Sequence, residues 1–391
     1  MSQLEGVKVL ELASVLAGPS VGQFFAELGA SVIKVENIKG GGDVTRTWKF
    51  LGETTDDRSA YFCSVNWGKR SLAVDLSKPE GQEIIHLITK QTDVVISSYK
   101  PGDAEKLRVD YTTLSSINPA IIYGMITGYG SSNPRVGYDA IIQAEAGFMF
   151  MNGEPGGASL KMPVALIDIL AGHHLKEGLL LAMIERMKTG KGKVVEVSLI
   201  QAALTSLANQ ATNWLVGKKL PQKQGSVHPN IAPYGEVFRT ADNKELMLAV
   251  GSDRQFSDLC NVLGLTGVIN NEKFSSNSLR VQNRPELFNL LASKIKELNS
   301  AWLMTHLNQN RIPAGLIQNI KEALDMPEGK ELLLQSNDVK GLRSIAAKFE
   351  TFNSHFPPPP HLGQHSEEIL RESLQYSSEM IEKLVNAGII K

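Results

Sequence analysis

The segment GVKVLELASVLAGPSVGQFFAELGASVIKVE, residues 6 to 36, constrains the fold more than any other. GVKVLELA reads as a strand, apolar residues recur at helical spacing through GPSVGQFFAELGA, and SVIKVE reads as a second strand. Two such strands joined by a helix cannot form a tight hairpin. They pair in parallel, with the helix as the crossover. Strands alternating with helices imply a mostly parallel sheet covered on both faces. Pro19 suits a first helical turn and Gly29 a C-terminal stop.

The alternation continues. SLAVDL (71–76) precedes a helix opening at Lys78-Pro79-Glu80, VVISSY (94–99) precedes a helix around Ala104 to Leu107, and AIIYGMITGYG (120–130) is a further strand. Helices are predicted from about Ala140 to Met151 and from Asp168 to Lys188. The strand KVVEVSL (193–199) follows, then a helix toward Trp214. This is an α/β pattern with a Rossmann-like parallel sheet, assigned to a large domain over 1–217. Residues 218 to 231 are polar and loop-like. EVFRTADNKELMLAV (236–250) then reads as a hairpin turning at Asp242-Asn243, followed by helical patterns in QFSDLCNVLG, RPELFNLLASKIKEL and AWLMTHLNQ. A linker and smaller α+β domain is therefore expected over 218–330. Residues 331–391 form a C-terminal return segment packing on the large domain, with PPPPHLGQ as a linker and Ser366 as the N-cap of a last helix.

With 40 Lys+Arg against 41 Asp+Glu, no global charge draws the chain to nucleic acid or an anionic membrane. Two distant cysteines, Cys63 and Cys260, exclude a disulfide framework and a thiolate metal site, and fit a reduced, cytoplasmic setting. No apolar run approaches a membrane span. No secretory signal stands at the N-terminus. The histidines show no H-E-x-x-H or Cys/His pairing, so no metal is expected.

Glu36 ends the second strand where a ribose-binding acid would sit, but the turn ELASVLAGPS has one glycine where a dinucleotide fingerprint wants three. No G-x-S-x-G elbow or P-loop is present. Lys69-Arg70, Lys100 and Lys106-Leu107-Arg108 fall near strand ends, where they serve either as phosphate contacts or as a solvated face. Asp168 is the most pointed residue. It is one acid in the apolar run VALIDILAG, at a predicted helix start. One reading makes it an N-cap for free backbone N–H groups. The other makes it a nucleophile, held ionised by the helix terminus and stripped of water by its neighbours.

The ordered segments LEGVKVLELASVLAGPSVGQFFAELGASVIKVE, GGDVTRTW, NWGKRSLAVDLSKPEG, DVVISSYKPG, IIYGMITGYG, GYDAIIQAEAG, the Asp168 segment and RMKTGKGKVVEVSL resemble the class III CoA-transferases, the formyl-CoA transferase and carnitine CoA-transferase family. NIAPYGEVFRTAD, RVQNRPELF, IPAGLI and LGQHSEEIL extend the likeness over essentially the whole chain. It is fullest to the dicarboxylate-using branch, such as succinyl-CoA:glutarate and oxalate CoA-transferases. The resemblance implies Asp168 as a nucleophile that forms an aspartyl anhydride and then an aspartyl-CoA thioester. The CoA thioester is a substrate, the second partner is a free carboxylic acid, and no cofactor stays bound.

Val15, Leu16 and Ala17 match backbone lying along the nucleotide. Asn37 replaces an arginine of formyl-CoA transferase, with Lys39 nearby. Val74 to Ser77 match the adenine side, and Ser98, Tyr99 and Lys100 the pantetheine and phosphates. Lys106 stands where the family has an arginine, keeping the charge and losing the fork. Tyr138 and Asp139 match the acyl pocket. Arg135, in the divergent loop SSNPRVGYD, is a candidate partner for a second carboxylate.

The related α-methylacyl-CoA racemases have Gly-His-Asp where this chain has Gly137-Tyr138-Asp139. Tyrosine is a poor proton-transfer replacement for histidine, which favours transfer over racemisation. A CoA-binding protein without catalysis is the other alternative. The resemblance also implies an interlocked homodimer, with 218–231 and the proline run wrapping the partner.

Overall fold

A computed structural model of the chain describes residues 2–350 and 356–391. It divides into two compact units. The first takes the described residues up to Phe148, then Lys161–Val216 and the described residues from Glu331 on. The second takes Met149–Leu160 and Gly217–Lys330. Residues 149–160 thus group with the second unit, because Gly225 N–H donates to Gly153 O at 2.9 Å and Lys223 Nζ to Gly157 O at 3.1 Å.

The first unit is built on a six-stranded sheet of β1 (Lys8–Leu12), β2 (Ser31–Asn37), β3 (Lys69–Val74), β4 (Val94–Ser97), β5 (Ile122–Thr127) and β6 (Val194–Ser198). The order is β3-β2-β1-β4-β5-β6, parallel throughout, with Val9 opposite both Val32 and Val94. Successive residues of a strand face opposite sides. Val9, Val32, Val94 and Ile122 therefore join one core with the helices Ala17–Glu27 and Leu166–Thr189. Leu10, Ile33, Val95 and Tyr123 join the other with the helices Pro79–Thr89 and Ser366–Leu374. Both faces of the sheet are thus covered, as a parallel sheet between helices requires.

Several expected boundaries differ. The 140–151 helix is two pieces, Asp139–Glu145 and Phe148–Met151, parted at Gly147 with φ 88°. The helix toward Trp214 likewise breaks into Leu199–Thr205 and Ala208–Leu215. Ser366 does not cap the last linker helix. Its N-cap is His365, and Ser366 Oγ accepts from Ala73 N at 3.2 Å, pinning the C-terminal segment to β3.

The second unit is α+β. Strands β7 (Tyr234–Arg239) and β8 (Glu245–Ala249) form the expected hairpin, with Asn243 in the left-handed region at φ 59°. A third strand, β9 (Ala314–Leu316), pairs with β8. Helices Asp253–Val262, Arg284–Ile295 and Ser300–Gln309 close a core around Phe238, Leu246, Leu259, Leu291 and Leu303.

Candidate active site

The order β3-β2-β1-β4-β5-β6 reverses direction between β1 and β4. The loops leaving the two strands part there, and open α/β sheets take ligands in that crevice. A cleft opens at this place, lined by Ser14, Val15, Ala17 and Gly18 after β1 and by Ser98, Tyr99, Lys100 and Pro101 after β4. Loop Arg135–Tyr138 and the buried acid Asp168 complete its walls. A second depression runs from Ser98 and Tyr99 past Ser14 to Asn37 and Asp43, along the β1 and β2 ends. Ser14 N–H donates to Ser98 Oγ at 3.1 Å, which ties the two loops across the crevice.

The turn after β1 is strained. Val15 has φ 74°, a region β-branched residues avoid, and such outliers persist only where surroundings impose them. The constraint is Asp43, whose Oδ1 accepts the Val15 N–H at 3.3 Å and the Thr45 N–H at 3.0 Å. The other Asp43 oxygen, Oδ2, meets Lys34 Nζ at 2.9 Å. Lys34 also contacts Glu11 Oε1 at 2.9 Å, and Glu11 Oε2 meets Lys69 Nζ at 2.7 Å. These four charged side chains are fully buried and sum to zero. Burial alone drives a lysine toward neutrality. At Lys34 the Asp43 and Glu11 carboxylates outweigh it and raise the value, whereas at Lys69 burial prevails and pushes it down to about 8. Gly22 of the first helix lies directly over this chain, and a Cβ there would collide with Glu11 Oε2.

Asp168 occupies the third position of the Leu166–Thr189 helix, so it is not the N-cap. The cap comes from elsewhere. Asp139 Oδ2 accepts the Ile167 N–H at 2.7 Å, while its Oδ1 accepts from Gln143 Nε2 at 2.7 Å. Asp168 is 8% exposed, and among the described residues nothing hydrogen-bonds its carboxyl group. The helix terminus favours the anion. Burial and the Asp139 carboxylate oppose it and push the group up to about 7. The expectation of a simply ionised acid is therefore corrected: near neutral pH the carboxyl is poised between its two forms. Gly172, one turn further on, lets this helix touch the first. A Cβ at 172 would stand 2.5 Å from Ser20 Oγ and 3.2 Å from Ala17 O.

The other expected site residues divide into those at the cleft and those elsewhere. Val15, Ala17, Ser98, Tyr99, Lys100, Arg135 and Tyr138 line the cleft with Asp168, and Asn37 lines the adjoining depression. Leu16 is the N-cap of the first helix. Lys100 has no side-chain partner among the described residues, whereas Arg135 pairs with Glu145 Oε1 at 2.5 Å. Tyr138 is 58% exposed and no hydrogen bond caps a helix from it. Asn37 Oδ1 accepts the Lys39 N–H, and Lys39 Nζ turns to Asp75 Oδ2 at 2.7 Å and Ser77 Oγ at 3.2 Å. Val74 is wholly buried and bridged to Ile390, so its side chain faces the core and not the cleft. Lys106 pairs with Asp103 at 3.2 Å on the surface, away from the cleft lining.

Lys69 and Arg70 begin β3 and so lie at its amino end, not at the ligand edge. Lys69 is consumed by the buried charges, and Arg70 by Glu368 and Glu372. Glu36 binds Arg46 through both oxygens, at 2.8 and 2.7 Å, and also accepts from Ser71 Oγ at 2.5 Å. That saturation explains why no ribose-binding acid is available there. Asp56, Asp57 and His361 lie together on the surface, but their oxygens already serve Arg58, Arg46 and the Leu362 N–H.

Sequence reading missed two groups. One is the chain Asp43–Lys34–Glu11–Lys69. The other is Tyr61, half-buried against Trp48 at 5.1 Å between ring centroids. Burial, with the charges of Asp168, Asp139 and Asp43, raises its hydroxyl to about 12.

A doubly wound sheet with an unpartnered buried acid at its switch point defines an α/β enzyme that takes its ligand at the carboxyl edge. The chain belongs to CoA-transferase family III, whose model matches residues 4–366. It is a CoA-transferase, moving CoA between an acyl-CoA and a carboxylic acid. It is 38% identical to the succinate–glutarate CoA-transferase of Agrobacterium fabrum, over 94% of this chain and 95% of the relative. It is 36% identical to the succinyl-CoA:glutarate CoA-transferase of Homo sapiens, over 99% of this chain and 90% of the relative. The crystal structure of a CaiB/BaiF family protein from Brucella suis superimposes with a TM-score of 0.85 at 37% identity, covering 95% of this chain and 99% of that one. Among the described residues no helix is long and apolar enough to cross a membrane.

Proposed function

We propose that the chain transfers CoA from succinyl-CoA, or another short-chain or dicarboxylic acyl-CoA, to a dicarboxylic acid, with Asp168 as the covalent nucleophile. The observation that carries this reading is Asp168 itself: a buried carboxyl group with no hydrogen-bond partner among the described residues, in a cleft at the switch point of the sheet. The Asp168 carboxylate attacks the thioester carbonyl and expels CoA thiolate, leaving an aspartyl–acyl anhydride. The thiolate attacks the aspartyl carbonyl, which releases the first acid and forms an aspartyl-CoA thioester. The incoming carboxylate attacks that thioester, giving a new anhydride and the thiolate again. The thiolate then takes the new acyl group and frees Asp168.

No proton is gained or lost in the sum. The anhydride must be kept from water, and the apolar cleft-lining side chains Val15, Ile126, Val136 and Leu199 serve that end. The names of the relatives support a succinate- and glutarate-like pair of acids, and Arg135 at the cleft supports a second carboxylate on the substrate. The first βα turn and the loop Ser98–Lys100 are assigned to CoA. The two buried free cysteines support a reducing, cytoplasmic setting. An interlocked homodimer is part of the same reading, tested by cross-linking and sedimentation.

Mixing the protein with succinyl-CoA and quenching should leave a CoA thioester on the Asp168 peptide, seen as added mass. Asp168→Asn should bind CoA yet form no adduct and transfer no label to glutarate. Full transfer by that variant sinks the mechanism. Exchange of an α-proton with solvent, without CoA transfer, would mark a racemase instead. The cleft lining holds no histidine to perform it.

A further inference from the structure

Among the described residues Arg135 is the one arginine lining the cleft, and it is already engaged. Its Nη2 meets Glu145 Oε1 at 2.5 Å, and its guanidinium lies 4.1 Å over the ring of Tyr129. The Tyr129 hydroxyl donates to the other Glu145 oxygen at 2.9 Å. Glu145 is the last residue of the Asp139–Glu145 helix, where the backbone carbonyls disfavour an acid, so its place is explained by Arg135 and Tyr129. The hydrogen bonds from Arg135 and Tyr129 hold Glu145 below the usual carboxylate value, and it is ionised at neutral pH. Both partners stay open to solvent, with side chains 55% and 39% exposed. The Tyr129 hydroxyl also lies within reach of the guanidinium. With its side chain more than half exposed, Arg135 still has N–H groups to offer a second carboxylate.

We propose that Glu145 sets acceptor specificity, as an internal carboxylate that shares Arg135 with the distal carboxylate of a dicarboxylic substrate. The inference rests on the dicarboxylate reading above. A monocarboxylate never meets this pair. A dicarboxylate does, and its distal charge approaches a guanidinium half neutralised by Glu145. Like charges at one cation repel, and stacking on Tyr129 keeps the arginine oriented even without the acid. Glu145 thus weakens the grip on the distal carboxylate, which favours release of a dicarboxylic product.

The test compares kcat/KM for glutarate and for acetate as acceptors, in wild type, Glu145→Gln, Tyr129→Phe and Arg135→Gln, and in the Glu145→Gln/Arg135→Gln double variant. Glu145→Gln should raise the glutarate-to-acetate ratio about three- to tenfold, chiefly through a lower KM for glutarate. Tyr129→Phe, which frees one Glu145 oxygen, should move the ratio the same way by less. Arg135→Gln should lower it, and adding Glu145→Gln in that background should change nothing. A ratio unchanged or lowered in both Glu145→Gln and Tyr129→Phe overturns the proposal, as does a Glu145 effect that survives loss of Arg135. If Arg135→Gln lowers the ratio while Glu145→Gln leaves it, only this inference falls. If wild type does not prefer glutarate and Arg135→Gln changes nothing, the dicarboxylate reading falls with it.

Discussion

Replacing Asp168 by asparagine should make the protein more stable, by an amount that depends on pH. Burial and Asp139 push the Asp168 carboxyl from 3.8 up to about 7. Between those values the folded protein holds a proton that the unfolded chain has released, so stability falls as pH rises through that window. Below 3.8 both states are protonated and the penalty is absent; above about 7 it is present in full. At 1.36 kcal/mol for each tenfold difference, the gap amounts to about 4 kcal/mol, an upper bound. Water entry and relaxation of the cleft reduce it, and about 2 kcal/mol is expected to survive.

Asparagine keeps the shape of the acid and carries no charge. Among the described residues no hydrogen bond to the Asp168 carboxyl group exists to be lost. For a unit of this size the gain is about 4–8 °C in Tm near pH 8. At pH 4.5 only about a quarter of the penalty has developed, and the gain shrinks in proportion. Calorimetric unfolding of wild type and Asp168→Asn at both pH values measures the difference. An equal gain at the two pH values, or a loss near pH 8, would refute the account of Asp168 as a desolvated acid beside Asp139.

The same poise predicts a kinetic profile: formation of the CoA adduct in single turnover should rise with pH, with a midpoint near 7, because only the carboxylate attacks. A rate flat from about pH 5.5 to 8.5 contradicts it. Lys34→Met removes one member of the buried charge chain and leaves Glu11 and Asp43 short of a counter-ion. Urea unfolding should show a loss of about 3–5 kcal/mol, and a loss below about 1 kcal/mol would show that the chain does not depend on that charge. Gly172→Ala forces a Cβ to 2.5 Å from Ser20 Oγ, and should cost about 1–3 kcal/mol together with transfer activity. Adding Ser20→Ala should restore part of both, and no restoration would place the damage elsewhere.

The sheet was legible because both-face burial writes itself into strands such as VVISSY as unbroken apolar runs. What failed were features that depend on distant partners or on a single residue. Asp168 looked like a helix cap, but the capping acid is Asp139, 28 residues from the N–H it accepts. Lys69-Arg70 was grouped with the ligand edge, although it precedes SLAVDL in chain order and so stands at the amino end of β3. The helix from Ala140 to Met151 showed good periodicity and still broke at Gly147. The strand Ala314–Leu316 is too short to carry a period.

Of the site, the proposed nucleophilic role of Asp168 and most of the cleft-lining loops were suggested by whole-chain resemblance, whereas local physics alone left Asp168 open between two roles. The Asp43–Lys34–Glu11–Lys69 chain left no trace, since its members are scattered and charged residues in strands normally read as solvent-facing.

That chain bears on how the protein can change. Each acid is shared with a lysine, and the whole is neutral only as a set. A chance substitution at one position leaves an odd charge in the core, so a lineage that drifts there must change two members together or revert. Natural variants should accordingly keep all four or exchange them in compensating pairs. Grafting the Val15 turn onto another α/β scaffold would mean carrying residues from three strands and a loop, since the turn is held by the sheet beneath it.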